Sequence, residues 1–251
     1  MANLGSWKWT ALSIVLFAAG PADGQFPDKF TNLKVLPKDI SKHELESTMR
    51  GFAFALGVRC DHCHVEKKAP EHGLDFASDD KDEKKTARIM LQMVAGINHD
   101  YISKVPKETP NVEPIQVQCV TCHHGLTHPR TLTAVLSESL EKNGLEKTLA
   151  LYGELRKKYY GSGQYDFGET SLNQLTEALL AKKENSQALA IMELNFSANH
   201  PDSAWSYHVL AQTHEANGQI DKAIADYRKA LELHPDDRWA QQQIDSLSKT
   251  K

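Results

Sequence analysis

Cys60-Asp61-His62-Cys63-His64 recurs later in the chain as Cys119-Val120-Thr121-Cys122-His123, and the two pentapeptides consume all four cysteines. Two cysteines separated by two residues and followed at once by histidine form the attachment signature of c-type haem. The spacing has a chemical reason. Two sulfurs so placed can form thioethers to the two vinyl groups of one porphyrin, and the adjacent imidazole is then held beneath the iron as proximal ligand. Cys60 and Cys63 are therefore expected to carry one covalent haem c with His64 on its iron, and Cys119 and Cys122 a second with His123.

Other uses of paired cysteines fit less well. The gap from Cys63 to Cys119 holds 55 residues, whereas a zinc ribbon leaves roughly 15–20 between its pairs. A zinc site also gives no reason for a histidine directly after each pair. Dithiol redox chemistry needs a single pair placed after a strand in a βαβ unit, and no such strand is readable here.

Working outward, Ser41-Lys42-His43-Glu44 has the form of a capping box that opens a helix, and Gly57 closes it. Leu45, Met49, Phe52 and Leu56 share one face of that helix. Met49 thus lies on the side to be buried, 11 residues before Cys60, with Gly51 and Ala53 small enough for a flat macrocycle to come close. A second helix is expected from about 83 to 103, capped by Asp79 or Asp80 and stopped by Pro106, with Met90, Val94, Ile97 and Tyr101 as its apolar face and Met93 beside them. A loop containing Pro110 and Pro114 then leads to Cys119. Sixth-ligand identity decides what a c-type haem does: methionine makes a higher-potential carrier, and an open position permits ligand chemistry. Pattern alone leaves Met90 and Met93 level for the second iron. It also leaves His43, His62, His72, His99, His124 and His128 as minor candidates.

From about residue 169 onward the chain reads as helical hairpins. Leu210, Ala223, Tyr227, Ala230 and Pro235 fall where a tetratricopeptide repeat places its small, aromatic and proline residues, with Gly218 in the turn. A weaker copy ends at Pro201, 34 positions before Pro235, with Ala188 standing for Ala223. Residues 239–247 are expected to form the capping helix. Ahead of the repeats, Leu145, Leu149, Tyr152, Leu155 and Tyr159 form one helical face ended by Gly161-Ser162-Gly163. Three units are usually needed for a stable stack, so the helix at 145–159 is expected to serve as its first layer.

At the N-terminus, Lys8 precedes an apolar run over 11–19, Gly20-Pro21 breaks it, and Ala22-Asp23-Gly24 offers small residues to a signal peptidase. The run is too short to span a bilayer. Export matches the motifs, because thioether haem is completed outside the cytoplasm, and a bacterial periplasm is the expected location. The formal charge of −4 is mild and no basic patch points to nucleic acid.

The stretch MRGFAFALGVRCDHCH (49–64) resembles the haem-binding helix and motif of the cytochrome c subunit of photosynthetic reaction centres. ARIMLQMVAGINHDYI (87–102), followed by VQCVTCHHGLTHP (117–129), resembles the next helix and motif of that family. The resemblance covers about residues 26–130. It implies Met49 as the sixth ligand opposite His64, and Met90 as the sixth ligand opposite His123, with Met93 as packing. The chain departs from the family in having two motifs instead of four, no lipid-bearing cysteine, and an added repeat domain. A photosynthetic role is implied by the family's name more than by any residue here.

The expected fold class is all-α, a loop-rich two-haem c-type cytochrome domain followed by a tetratricopeptide-repeat array. Its expected parts are a signal peptide (1–24), the two-haem domain (25–130), a connecting helical region (131–168) and the repeats (169–251). The expected role is one-electron transfer by a carrier, not an enzyme. Its partners would be redox proteins, such as a membrane electron-transfer complex or reaction centre, and a peptide or protein held on the repeats. The rival functions are a two-haem peroxidase-like enzyme with one open iron and a haem-bearing sensor or scaffold.

Overall fold

A computed structural model describes residues 26–106 and 115–249. The export segment read over 1–24, together with Pro110 and Pro114, lies outside the described residues. The described chain is mostly helical, and none of its helices is long and apolar enough to cross a membrane. Its contacts divide it into two units. One holds 26–54 and 58–118, as far as these are described, and the other holds Ala55–Gly57 and everything from Cys119 onward. The boundary read from composition at 130 falls inside the second unit.

Helix α1 (Lys42–Leu56), which belongs to the first unit up to Phe54, begins with the expected box. Ser41 Oγ accepts the Glu44 N–H at 3.2 Å, and Glu44 Oε2 accepts the Ser41 N–H at 3.1 Å. The helix ends at Gly57, whose φ of +66° favours glycine. A single 3₁₀ turn, Cys60–His62, follows. Next comes a small antiparallel ladder of β1 (Val65–Glu66) and β2 (Leu74–Asp75), in register Val65 to Asp75 and Glu66 to Leu74. These strands are too short for a period-two pattern to reveal them.

Helix α2 (Asp82–Gly96) starts within one residue of expectation but differs from it in its cap and at its far end. Its N-cap is Lys81, which makes no side-chain cap. Neither of the two expected caps, Asp79 or Asp80, holds that position; Asp79 instead accepts hydrogen bonds from Lys34 Nζ (2.6 Å), Asn32 Nδ2 (2.9 Å) and Arg88 Nη1 (2.8 Å). Charge-assisted partners hold a carboxylate more strongly than one backbone N–H does. At its far end α2 widens into a π turn, Ile97–Tyr101, then tightens into a 3₁₀ turn, Ile102–Lys104. The wider turn rotates later residues off the predicted stripe. Met90, Val94 and Ile97 are half-buried as expected, while Tyr101 is 71% exposed. Asn98 ties this end to the chain approaching the second motif, donating to the Val117 carbonyl and accepting its N–H, both at 2.8 Å.

Among the described residues of the first unit, Leu45 is the one buried apolar side chain and His64 the one buried polar one. Units of this size normally need a core, or else a disulfide, metal or cofactor in its place.

The second unit contains α3 (Cys119–His123) and a regular helical array. Its helices are α4 (Leu132–Asn143), α5 (Leu145–Tyr159), α6 (Glu169–Ala181), α7 (Asn185–Asn199), α8 (Ala204–Ala216), α9 (Ile220–Leu233) and α10 (Arg238–Lys249). They pack as three successive hairpins, with α10 against α9 as the cap. The repeat positions behave as expected: Ala188, Ala223, Tyr227 and Ala230 are fully buried, and Gly218 turns the chain with φ +72°. The expected connector 131–168 is a hairpin, because α4 precedes α5. Leu132, Leu136, Leu140 and Tyr152 share one core with Leu172, Leu175, Leu179 and Ile191 of the next hairpin.

Candidate haem sites

In the first motif the backbone turns tightly. Cys63 N–H and His64 N–H both donate to the Cys60 carbonyl, at 3.3 and 3.1 Å. In such a turn, side chains three apart eclipse, so Cys60 and Cys63 share one edge. The second motif reaches the same end on α3, where Cys119 and Cys122 stand three apart on one helical face. All four thiols are free.

His64 is buried and meets the ring of Phe76 edge-on at 4.9 Å; Phe76 in turn packs on Phe26 at 5.4 Å. Burial, and next the Lys84 ammonium, push the imidazole pKa down to about 4. The ring is therefore neutral near pH 7, which is the metal-binding form. Its Nδ1 is buried without a hydrogen-bond partner. Lys84 Nζ donates to the Phe76 and Ser78 carbonyls at 2.9 and 2.6 Å, and Lys81 Nζ donates to the Asp61 carbonyl inside the motif. These cations and Phe76 were not singled out from sequence. The readable signal was Lys81, Lys84 and Arg88, spaced to share one helical face.

His123 is organised differently. Its Nδ1 lies 2.7 Å from the Leu126 carbonyl. A carbonyl only accepts, so Nδ1 carries the proton and the Nε2 lone pair is left for a metal. The loop that supplies this carbonyl is tight, with φ +46° at His124 and +85° at Gly125. Gly125 N–H donates to the Ala55 carbonyl at 2.9 Å, and Leu126 N–H to the His123 carbonyl at 2.8 Å. A Cβ on Gly57 would lie 2.2 Å from the Gly125 carbonyl oxygen, so glycine is required there by space as well as by φ.

These residues fit a covalent porphyrin. The macrocycle brings four nitrogen donors and asks the protein for two sulfurs on one edge and an imidazole, which both motifs present. A bare ion finds less, since among the described residues no three His, Cys, Asp or Glu groups are disposed to hold one. An activated dithiol would need a lowered thiol pKa. Burial first, and the nearby Glu83 next, instead push the Cys63 thiol up.

Of the expected sixth ligands, Met49 is half-buried on α1, one turn beyond buried Leu45. Gly51 faces open space, with nothing within 4 Å of a Cβ built there. Met90 is half-buried on α2 of the first unit, whereas Cys119, Cys122 and His123 belong to the second unit. Met93 is 46% exposed. His43, His72, His99, His124 and His128 are exposed, and His62 is half-buried.

The tetratricopeptide repeat family profile matches residues 170–236, which covers almost all of α6 to α9. A 70-residue stretch is 39% identical to cytochrome c-554 of Chloroflexus aurantiacus, covering 28% of this chain and 14% of that relative. Solved structures with some likeness include the first TPR domain of human RPAP3 (15% identity, TM-score 0.34, 47% of this chain and 87% of that one). MamA from Desulfovibrio magneticus RS-1 is 18% identical, with TM-score 0.34, over 47% of this chain and 63% of that one. The Arabidopsis OM64 TPR domain is 18% identical, with TM-score 0.34, over 48% of this chain and 93% of that one. The chain thus carries tetratricopeptide repeats, which are modules for protein interaction, and a cytochrome-like stretch.

Proposed function

We propose that this protein is an exported c-type cytochrome that carries single electrons on two covalent haems and uses its helical repeats to dock a redox partner. One observation carries this reading. Both C-x-x-C-H sequences place two free thiols on one edge of a helical turn, next to a histidine poised as a metal ligand. The stretch shared with cytochrome c-554 supports it. Bound haem supplies the one-electron iron couple. Everything else is left to the chain.

Cys60 and Cys63 anchor the first group, and Cys119 and Cys122 the second. His64 and His123 are the proximal ligands. Met49 is the sixth ligand at the first site, and Met90 at the second, preferred over Met93 because it is the less exposed of the two. Phe76 and Phe26 shield the His64 side from water. With Met49 and Met90 holding the irons, neither would be open to a substrate, and the protein would act as a carrier and not an enzyme. Its partner is a redox protein, such as a membrane electron-transfer complex of the reaction-centre type, and its location is the periplasm.

A redox-resolved absorption spectrum of protein from cells that mature c-type haem tests this. The expected result is two haems per chain, a methionine–iron charge-transfer band, and slow, weak carbon monoxide binding after reduction. Rapid, tight carbon monoxide binding at one iron would replace this reading with the peroxidase-like one.

A further inference from the structure

The two proposed proximal histidines differ in what their far nitrogen does. His123 Nδ1–H donates to the Leu126 carbonyl at 2.7 Å, from a loop pinned by the Gly125–Ala55 hydrogen bond and by the Gly57–Gly125 approach. His64 Nδ1 is buried and has no partner. A hydrogen bond donated by the far nitrogen makes the ligating nitrogen more basic and so favours the oxidised, more positive metal. Its absence favours the reduced one.

Surrounding charge acts in the same direction. Lys81 donates into the first motif at the Asp61 carbonyl, and Lys84 donates to the carbonyl of Phe76, whose ring lies against His64. Ammonium groups beside a buried centre penalise added positive charge. Asp75 opposes them, as do Glu83 and Asp79, the latter 3.5 Å from Lys84 Nζ; but the Asp75 carboxylate also accepts the Ala77 and Ser78 N–H groups, at 2.9 Å each, and Asp79 is shared with Lys34 and Arg88, which leaves the cations in excess. Arg130, the first cation in the chain after the second motif, is paired with Glu138.

We propose that the iron held by His123 has a lower reduction potential than the iron held by His64, the order being set by the Leu126 carbonyl at one site and by Lys81 and Lys84 at the other. This rests on the haem reading above. In it Leu126, Gly57, Lys81 and Lys84 are positioning and tuning groups, not iron ligands.

Spectroelectrochemical titration of the full-length holoprotein tests the proposal. Two one-electron steps are expected, separated by at least tenfold in equilibrium constant, about 59 mV for one electron. Lys81→Gln and Lys84→Gln should lower only the upper step. Gly57→Ala, which forces the Gly125 carbonyl away and with it the Leu126 loop, should raise only the lower step. Should that variant fail to accumulate with haem, the two lysine variants decide alone. Coincident steps, or a lower step that moves with the lysines, would overturn the proposal. Failure of the haem reading would appear separately and earlier, as a chain mass without covalent haem.

Discussion

Met49 stands one helical turn after Leu45, the one apolar side chain buried among the described residues of the first unit. If it binds iron, Met49→Ala should weaken the methionine–iron charge-transfer band and open one iron to carbon monoxide, while Met93→Ala changes neither. Equal spectra for Met49→Ala and wild type would show Met49 to be packing only. Asp79 offers a test by pH. Its carboxyl is held well below the usual range, first by Lys34, then by Asn32 and Arg88. A carboxyl depressed in the folded state stabilises fully above its unfolded value of about 4, and that stability is lost as pH falls through the folded value. The thermal midpoint of the first unit should therefore drop below about pH 4, and more steeply in wild type than in Asp79→Asn. Equal slopes would show that the Asp79 cluster does not couple to folding.

Among the elements, α5 was legible because five apolar residues three or four apart define one face over 145–159, and the helix spans Leu145–Tyr159. The hairpins from α6 onward were legible through small and aromatic residues at fixed offsets. Helix α4 was missed although its signal existed: Thr131 Oγ1 caps it by accepting the Ala134 N–H at 3.2 Å, and Leu132, Leu136 and Leu140 recur every four residues. Leu136 is fully buried in the core shared with α6 and α7, so Leu136→Ala should cost about 2–5 kcal/mol in denaturant unfolding of the array. A cost below about 0.5 kcal/mol, the range of surface changes, would show that α4 is only an appendage. The start of α2 was legible to within one residue, but its cap was not, because Asp79 serves tertiary partners, which no local pattern reveals. At the candidate sites, the cysteines and histidines were plain from spacing. The Leu126 carbonyl, Phe76 and the Gly57–Gly125 approach were not, because each joins segments brought together only by folding.

For the whole molecule, apolar burial is distributed unevenly. The array has two hydrophobic clusters, one over α4–α7 and one over α8–α10, while the first unit buries Leu45 and His64. A porphyrin joined to Cys60 and Cys63 would supply apolar mass that the first unit lacks. Replacing Cys60, Cys63, Cys119 and Cys122 by Ala should therefore abolish the helical signal of α1 and α2 while α4–α10 still unfold cooperatively. Native helix content throughout would show that the first unit folds without its cofactors. The most direct measurement is the intact mass of mature protein from cells that assemble c-type haem. The expected mass is that of the processed chain plus two haems, with no free thiol left to alkylate. A chain mass carrying no haem, with four alkylatable cysteines, would contradict it.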